Sequence, residues 1–269
     1  MRVALLTLIA ACSTTYDPVD DLPHRVLPNT GAAIRTILAE AGNAQVYAIG
    51  EYHASSPLDA RAPLAHFTDD IVGRLSTWAD DLVVEAWFDA SCSPNDSVQA
   101  QIQAVTKRPA SATDLTQLGA TTAKMPMHGL PMTCIEHSSM LDAKGRVDFY
   151  RLLLMVTDKL RERTEALVKQ GHSVIVYGGA LHNDLYPRWA LEELSYAAKL
   201  AKQTSVLEID LVVPEVVLPM KVLWQEPWYP LLARSGPDHV LLWERGPNSY
   251  VIILPAKSDL VASRVRVTW

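Results

Sequence analysis

The chain has 269 residues, of which 49% are hydrophobic and 20% are charged, and its formal net charge is −6. This length allows one large domain or two small ones with a sizeable core. The negative charge argues against a nucleic-acid partner, because phosphate binding requires a basic face. The sequence also lacks the signature motifs of serine hydrolases, Walker-type nucleotidases, zinc metalloproteases and dinucleotide enzymes.

The first twelve residues have the pattern of a short secretory signal. Arg2 precedes an apolar run that ends at Ile9-Ala10-Ala11-Cys12, which resembles a bacterial lipobox. In such a signal the chain is cut before the cysteine, so we expect Cys12 to be lipidated and the protein to be anchored in the bacterial cell envelope. Ser13 favours the outer membrane, with the protein facing the periplasm or the exterior. The alternative is an N-terminal segment whose cysteine has no role.

After this signal, residues 13–43 are predicted to form a tether, over Ser13–Thr30, and an entry helix, and residues 44–269 to form a single α/β domain. Helical periodicity and buried apolar runs predict the elements of this part of the chain. The predicted helices are Gly31–Ala41, Ala62–Leu75, Asp96–Lys107, Val147–Lys169 and Arg188–Lys202. The predicted strands are Gln45–Ile49, Asp81–Trp87, Met132–Ile135, Ser173–Tyr177 and Ser205–Val213. Arg108–Thr122 is expected to be a surface insertion.

The alternation of these strands and helices predicts a Rossmann-like, mostly parallel sheet flanked by helices. Residues 213–237 contain five prolines, which exclude a regular helix or a central strand. We expect an arm over the functional edge of the sheet, with Trp224, Trp228 and Tyr229 bordering a pocket for an apolar ligand. The alternative is an apolar segment that covers one face of the sheet. Residues 238–254 predict a C-terminal antiparallel hairpin.

Two stretches share one pattern, in which an apolar strand ends at a glycine and a histidine follows. They are Val46–His53, with the sequence VYAIGEYH, and Val174–His182, with the sequence VIVYGGALH. Between them, Glu85 lies in the later half of a hydrophobic strand, where an acid is costly to bury without a partner. Ligands bind outside the carboxyl ends of parallel strands. The side chains that we expect to converge there are Glu51, His53, Glu85 and His182.

Two imidazoles with one or two carboxylates suit a divalent metal such as Zn, Mn or Co, which would generate hydroxide from bound water. Without a metal, the same groups provide a histidine general base tuned by an acid. His53 and His182 would then hold the metal or activate water. Glu85 would act as ligand or base, and Glu51 would ligate or orient. Each Gly-x-x-His motif alone has little specificity, and a structural role is its alternative.

Further residues are weaker candidates. Tyr52 is expected to pack beside the first motif, with ligation of haem iron as a tyrosinate as its alternative. Of Glu208 and Asp210 on the last parallel strand, we expect at most one to face the site. The candidates for groups that orient the histidines are His128, Glu136, His137 and Asp184.

Three motifs together resemble the TIKI/TraB, erythromycin esterase and ChaN-like superfamily. They are Gly50-Glu51-Tyr52-His53, Val84-Glu85 and Gly179-Ala180-Leu181-His182. The resemblance covers about Ala44–Val213, and the long predicted helix before the last motif lies where that family has one. The spacing Glu-x-His is closer to ChaN- and TIKI-type proteins than to erythromycin esterases. Ala54 stands where the family has an Asp after the first histidine.

This resemblance implies a Rossmann-like α/β fold with either metal-assisted or His-based hydrolysis. We therefore expect a lipid-anchored envelope hydrolase that cleaves a peptide or ester bond in a small-molecule or peptide substrate. The alternative is a haem-binding, iron-uptake lipoprotein of ChaN type, which would use the same edge of the sheet without turnover.

Overall fold

A computed structural model describes residues 22–53, 60–86, 112–131, 136 and 139–257. The predicted lipidation site Cys12, the predicted helix Asp96–Lys107 and the predicted strand Met132–Ile135 lie outside these ranges. Within them, no helix is long and apolar enough to cross a membrane.

The described residues contain eight strands in one sheet, in the order β1-β7-β8-β6-β2-β5-β3-β4. The strands are β1 (His24–Leu27), β2 (Val46–Glu51), β3 (Asp81–Val84), β4 (Met127–His128), β5 (Val174–Gly179), β6 (Val206–Val212), β7 (Val240–Gly246) and β8 (Ser249–Ile253). From β8 to β4 all neighbouring strands are parallel, and β7 is antiparallel to both β8 and β1. The predicted mostly parallel sheet and C-terminal hairpin are confirmed, and the hairpin extends the main sheet through β8.

Helices flank both faces of this sheet. They are α1 (Thr30–Ala41), α2 (Pro63–His66), α3 (Val72–Leu75), α4 (Ala112–Thr121), α5 (Phe149–Val168), α6 (Ala180–Asn183), α7 (Tyr196–Leu200) and α8 (Pro214–Val217). A π-helical segment, Phe67–Ile71, joins α2 to α3, so the predicted helix at Ala62–Leu75 contains one wider turn. Three 3-10 helices also form, at Trp189–Leu194, Lys221–Gln225 and Tyr229–Arg234.

The sheet buries both of its faces, and alternate residues of each strand enter different cores. Tyr47 and Ile49 of β2 belong to the core that includes residues of α1, of α3 and of the arm formed by residues 213–237. Val46 and Ala48 belong to the opposite core with residues of α5 and α7. This two-sided burial explains why the parallel strands are continuous apolar runs in the sequence.

The chain leaves β2 and β5 in opposite directions. β2 leads through α2 and α3 to β3, which lies beyond β5, whereas β5 leads through α6 and α7 to β6, on the other side of β2. Since β2 and β5 are neighbours, the order of the strands reverses between them. Such a topological switch point is the usual ligand site of an open α/β sheet.

Two segments differ from the sequence prediction. His24–Leu27, predicted to be tether, is an edge strand paired with β7. Helix α4 forms inside the predicted surface insertion, and its Leu118 is fully buried. In both cases the stabilising partners are distant in the sequence, so the local pattern does not reveal them.

The prediction of a single helix at Arg188–Lys202 is also wrong, because this segment forms a 3-10 helix and a separate α-helix, α7. Ser195 separates the 3-10 helix from α7 with an extended backbone (φ −103°, ψ 119°). Its side chain accepts a hydrogen bond from the backbone N–H of Ala198 at 3.0 Å. A serine that caps a helix in this way begins a new helix and interrupts a longer one.

Candidate active site

The glycines of the two motifs lie inside the strands, not in turns after them. None of Gly50, Gly178 and Gly179 has a positive φ, so their role is to leave space. A Cβ on Gly50 would overlap Asp210 Oδ1 and lie 2.9 Å from Ala180 Cα. A Cβ on Gly178 would lie 2.9 Å from a carboxylate oxygen of Glu85. The missing side chains therefore allow α6 and the acids to approach the strands.

Three of the four predicted side chains meet around Gly179. The position that a Cβ on Gly179 would occupy is 3.0 Å from His53 Nε2, 3.4 Å from Glu85 Oε2 and 3.6 Å from His182 Cδ2. We refer to the region in front of Gly179 that these three side chains border as the Gly179 opening. The fourth predicted side chain, Glu51, reaches the same group through His53.

Glu51 holds His53 by its Nδ1 atom. Its Oε1 lies 2.6 Å from His53 Nδ1, and its other oxygen accepts a hydrogen bond from the hydroxyl of Tyr177. Burial raises the pKa of Tyr177 well above its ordinary value, so the hydroxyl keeps its proton. Since a carboxylate can only accept, Nδ1 of neutral His53 carries the proton and Nε2 carries the lone pair that faces the Gly179 opening.

His182 is held by uncharged groups. Its side chain is buried, and its Nδ1 lies 2.8 Å from Thr157 Oγ1 and 3.1 Å from the carbonyl oxygen of Leu194. A carbonyl cannot donate, so a proton on Nδ1 of the neutral ring would make this contact a hydrogen bond and leave Nε2 as the acceptor.

Glu85 lies immediately after β3, because that strand ends at Val84 and not at the predicted Trp87. Its backbone N–H continues the ladder by donating to the carbonyl of Tyr177 at 2.9 Å. Its Oε2 accepts a hydrogen bond from the N–H of Gly179 at 2.7 Å. Glu85 therefore presents a carboxylate at the edge of the sheet, fixed by the backbone of the neighbouring strand.

This arrangement can provide a general base. A histidine that has a carboxylate on Nδ1 and a lone pair on Nε2 is a recurring way to remove a proton from a nucleophile. Among the described residues, no group of three or more His, Cys, Asp and Glu side chains is arranged to hold a metal ion. The Zn, Mn or Co site expected from the sequence stays a prediction.

The aromatic residues are divided between core and surface. Trp228 is buried, and its ring centroid is 5.3 Å from that of Tyr52, whereas Trp224 is 54% exposed. Burial raises the pKa of Tyr52 well above its ordinary value, and its ligation of haem iron stays a prediction. Trp228 lies beside the first motif, as the arm was expected to do, but as part of the core.

Glu208 and Asp210 point to the same face of β6, because residues two apart on a strand always do. The expectation that at most one faces the site's layer is wrong. Burial, and then the charge of Asp184, raise the pKa of Glu208 to about 7. Burial and the neighbouring Glu208 raise that of Asp210 well above its ordinary value, and Asp210 Oδ1 has no hydrogen-bond partner. Arg245 binds Asp184 at 2.6 Å and lies 3.8 Å from Glu208.

The other candidates lie in separate interactions. His128 is 2.6 Å from Asp81, the first residue of β3, so it lies at the opposite end of that strand from Glu85. Glu136 pairs with Lys159 at 2.6 Å. His137 lies outside the described residues. The sequence pattern does not identify the contacts of Thr157 and Tyr177. Neither has a local signal, since each acts on a group distant in the sequence.

No protein-family model matches the chain, and no curated protein matches it. Among solved structures, the chain is similar to "the type III effector HopBA1", with 14% identity and a TM-score of 0.43. That match covers 87% of this chain and 98% of the effector chain. A similarity this weak carries no argument about function, and the superfamily named from the motifs remains a resemblance.

Proposed function

We propose that this protein is a hydrolase of ester or peptide bonds in which His53 is the general base. The observation that carries the proposal is the geometry at His53. Glu51 Oε1 is 2.6 Å from Nδ1, and a Cβ at position 179 would lie 3.0 Å from Nε2, so a glycine there keeps a side chain away from the lone pair. A base must lie within hydrogen-bond reach of the proton that it removes, and the proposal places the attacking water beside Nε2.

In the proposed reaction, His53 Nε2 takes one proton from the water as the water oxygen attacks the carbonyl carbon of the substrate. Glu51 stabilises the positive charge that the imidazole gains, and Tyr177 fixes Glu51 through its second oxygen. The imidazolium then returns the proton to the leaving alcohol or amine. The carboxylate of Glu85, which borders the same opening, accepts the water's second hydrogen and orients it.

His182 borders the same opening through its Cδ2 edge. With Nδ1 protonated, its Nε2 is an acceptor and not a donor. Two imidazole acceptors and two carboxylates favour a neutral or cationic substrate over a phosphate or a carboxylate. A small-molecule or peptide substrate with N–H or O–H groups fits this requirement.

The proposed location is the bacterial cell envelope, with Cys12 as the lipid-bearing residue. It rests on the lipobox-like sequence of residues 9–12 and on the predicted tether that follows. An outer-membrane anchor would leave the α/β domain free to meet small substrates in the periplasm or outside the cell.

The test is a hydrolysis assay on purified protein with chromogenic esters and fluorogenic peptides. Each substrate is measured with a chelator and with added Zn, Mn or Co. We expect turnover that falls by about 10²–10⁴-fold in His53→Ala. The matched control is His239→Ala, since His239 is half-buried and bonds only the Arg234 carbonyl among the contacts described. A protein that hydrolyses no substrate in any condition, or an unchanged His53→Ala, would contradict the proposal. A Soret band in the purified protein would favour the haem alternative.

A further inference from the structure

The break in the helix predicted at Arg188–Lys202 releases one carbonyl next to the site. In a continuous α-helix the carbonyl of Leu194 would accept from the N–H of Ala198, four residues later. Here that N–H donates to the hydroxyl of Ser195 at 3.0 Å. The Leu194 carbonyl is thus available to groups outside the helix.

Two side chains from other elements use this carbonyl. The Nδ1 of His182 lies 3.1 Å from it, and the hydroxyl of Thr157 on α5 lies 3.0 Å from it. Thr157 Oγ1 is also 2.8 Å from His182 Nδ1 and 2.9 Å from the Leu153 carbonyl. Thr157 and His182 are both buried, so water does not compete with these contacts.

The contacts in this cluster favour one arrangement. The Leu194 carbonyl can only accept, so a proton on His182 Nδ1 makes the 3.1 Å contact between them favourable. The Thr157 hydroxyl then donates to a backbone carbonyl, and its oxygen accepts from the same Nδ1–H. A hydroxyl that donated to Nδ1 instead would require the ring proton on Nε2. If the His182 proton lay on Nε2, the Nδ1 lone pair would face the carbonyl oxygen in a buried place, which is unfavourable.

We propose that Thr157 and the Leu194 carbonyl are positioning groups that hold neutral His182 in the Nδ1–H tautomer. Thr157 touches no reacting atom and acts only through His182. The consequence for the site is that the acceptor Nε2 stays on the side of the ring that borders the Gly179 opening. This inference rests on the proposed function for its catalytic meaning, but the tautomer itself is independent of any substrate.

The test is the ring-nitrogen spectrum of the full chain labelled with ¹⁵N-histidine, with the His182 signals assigned by their loss in His182→Ala. In the wild type at a pH where the ring is neutral, we expect Nδ1 to be protonated and Nε2 not. Thr157→Val preserves the shape of the side chain and removes the hydroxyl, so part of the population should move to the Nε2–H form. Thr157→Ser retains the hydroxyl and should retain the wild-type spectrum.

Two results overturn the inference. One is a wild-type His182 that carries its proton on Nε2, which needs no variant to observe. The other is a folded Thr157→Val with the wild-type spectrum, which would show that the Leu194 carbonyl suffices. If hydrolysis is found, Thr157→Val should lower kcat by about tenfold or more with little change in KM, and Thr157→Ser should restore it. The expected tautomer in a protein without turnover would contradict the proposed function alone.

Discussion

The carboxyl ends of β2 and β5 carry the same strand, glycine and histidine pattern, yet the two histidines are held differently. His53 is 24% exposed and is held by Glu51, a charged partner two residues earlier at the end of β2. His182 is 3% exposed and is held by a hydroxyl on α5 and a carbonyl that precedes α7. One histidine thus has a local, ionic partner and the other has distant, neutral ones.

Because their partners differ, the histidines at the ends of β2 and β5 suit different chemical roles. A carboxylate on Nδ1 stabilises the charge that an imidazole gains when it accepts a proton, so the end of β2 suits a base. The neutral partners of His182 fix its tautomer without adding charge, so the end of β5 suits a hydrogen-bond acceptor that orients the substrate. A repeated motif therefore does not imply a repeated role.

The largest expected effect tests whether the two ends act as one site. His53→Ala and His182→Ala should each lower kcat/KM by orders of magnitude, and the double variant should be little worse than the stronger single variant. Residues that act as a unit lose their function together, so their effects do not add. The measurement is kcat/KM for the four proteins on one substrate. Losses that multiply would separate the two ends into independent groups.

A smaller effect is expected when the Gly179 opening is filled. Gly179 has φ −66° and ψ 137°, which alanine adopts freely, so Gly179→Ala should fold. Its new Cβ would lie 3.0 Å from His53 Nε2 and displace the attacking water, lowering kcat by about 10²-fold.

The matched control for this prediction is Gly73→Ala. Nothing lies within 4 Å of a Cβ at Gly73, which is in α3. Alanine there should leave turnover unchanged and raise the free energy of unfolding by up to about 1 kcal/mol. Equal turnover in the two alanine variants would show that the opening is not where water reacts.

A change of about tenfold is expected from Tyr177→Phe, which affects the end of β2 alone. The variant removes the hydroxyl that donates to Glu51 and keeps the ring that stacks on Phe67 at 4.4 Å. Glu51 would then hold His53 less firmly, so kcat should fall while the His182 tautomer stays as in the wild type. The two readouts are turnover and the histidine ¹⁵N spectrum. A changed His182 spectrum would show that the two ends are coupled.

The smallest effect on turnover is expected from Glu208→Gln, at a residue that pairs with Ala48 in the middle of β2. Because the folded-state pKa of Glu208 is raised to about 7 from 4.5, its contribution favours folding most below about pH 4.5. That stability is lost as the pH rises through 7, where the buried carboxyl ionises. A shift of this size is worth up to roughly 3 kcal/mol by linkage.

We therefore expect the free energy of unfolding to fall between pH 5 and pH 8 in the wild type, and to fall less in Glu208→Gln. Denaturant titrations across this range measure it. Glu244→Gln is the control, because Glu244 is exposed on β7. Parallel pH profiles for the wild type and Glu208→Gln would show that Glu208 does not titrate in this range.

The sequence alone was sufficient to predict the parallel core of the sheet and the edge at which the candidate site lies. Runs such as Val46–Ile49 and Val174–Tyr177 are apolar at every position, and only strands covered on both faces have this pattern. Once these strands are parallel, their carboxyl ends share an edge. Glu51, His53, Glu85 and His182 follow from that geometry without knowledge of any contact.

Only the tertiary structure decided how each histidine is held. Tyr177 and Glu51 are 126 residues apart, and Thr157 and His182 are 25 apart on different elements. The edge strand β1 depends on β7, more than 200 residues later, and the break at Ser195 exchanges a helical hydrogen bond for a cap. Local propensities are of the order of 1 kcal/mol or less per residue, so packing and hydrogen bonds between distant segments outweigh them.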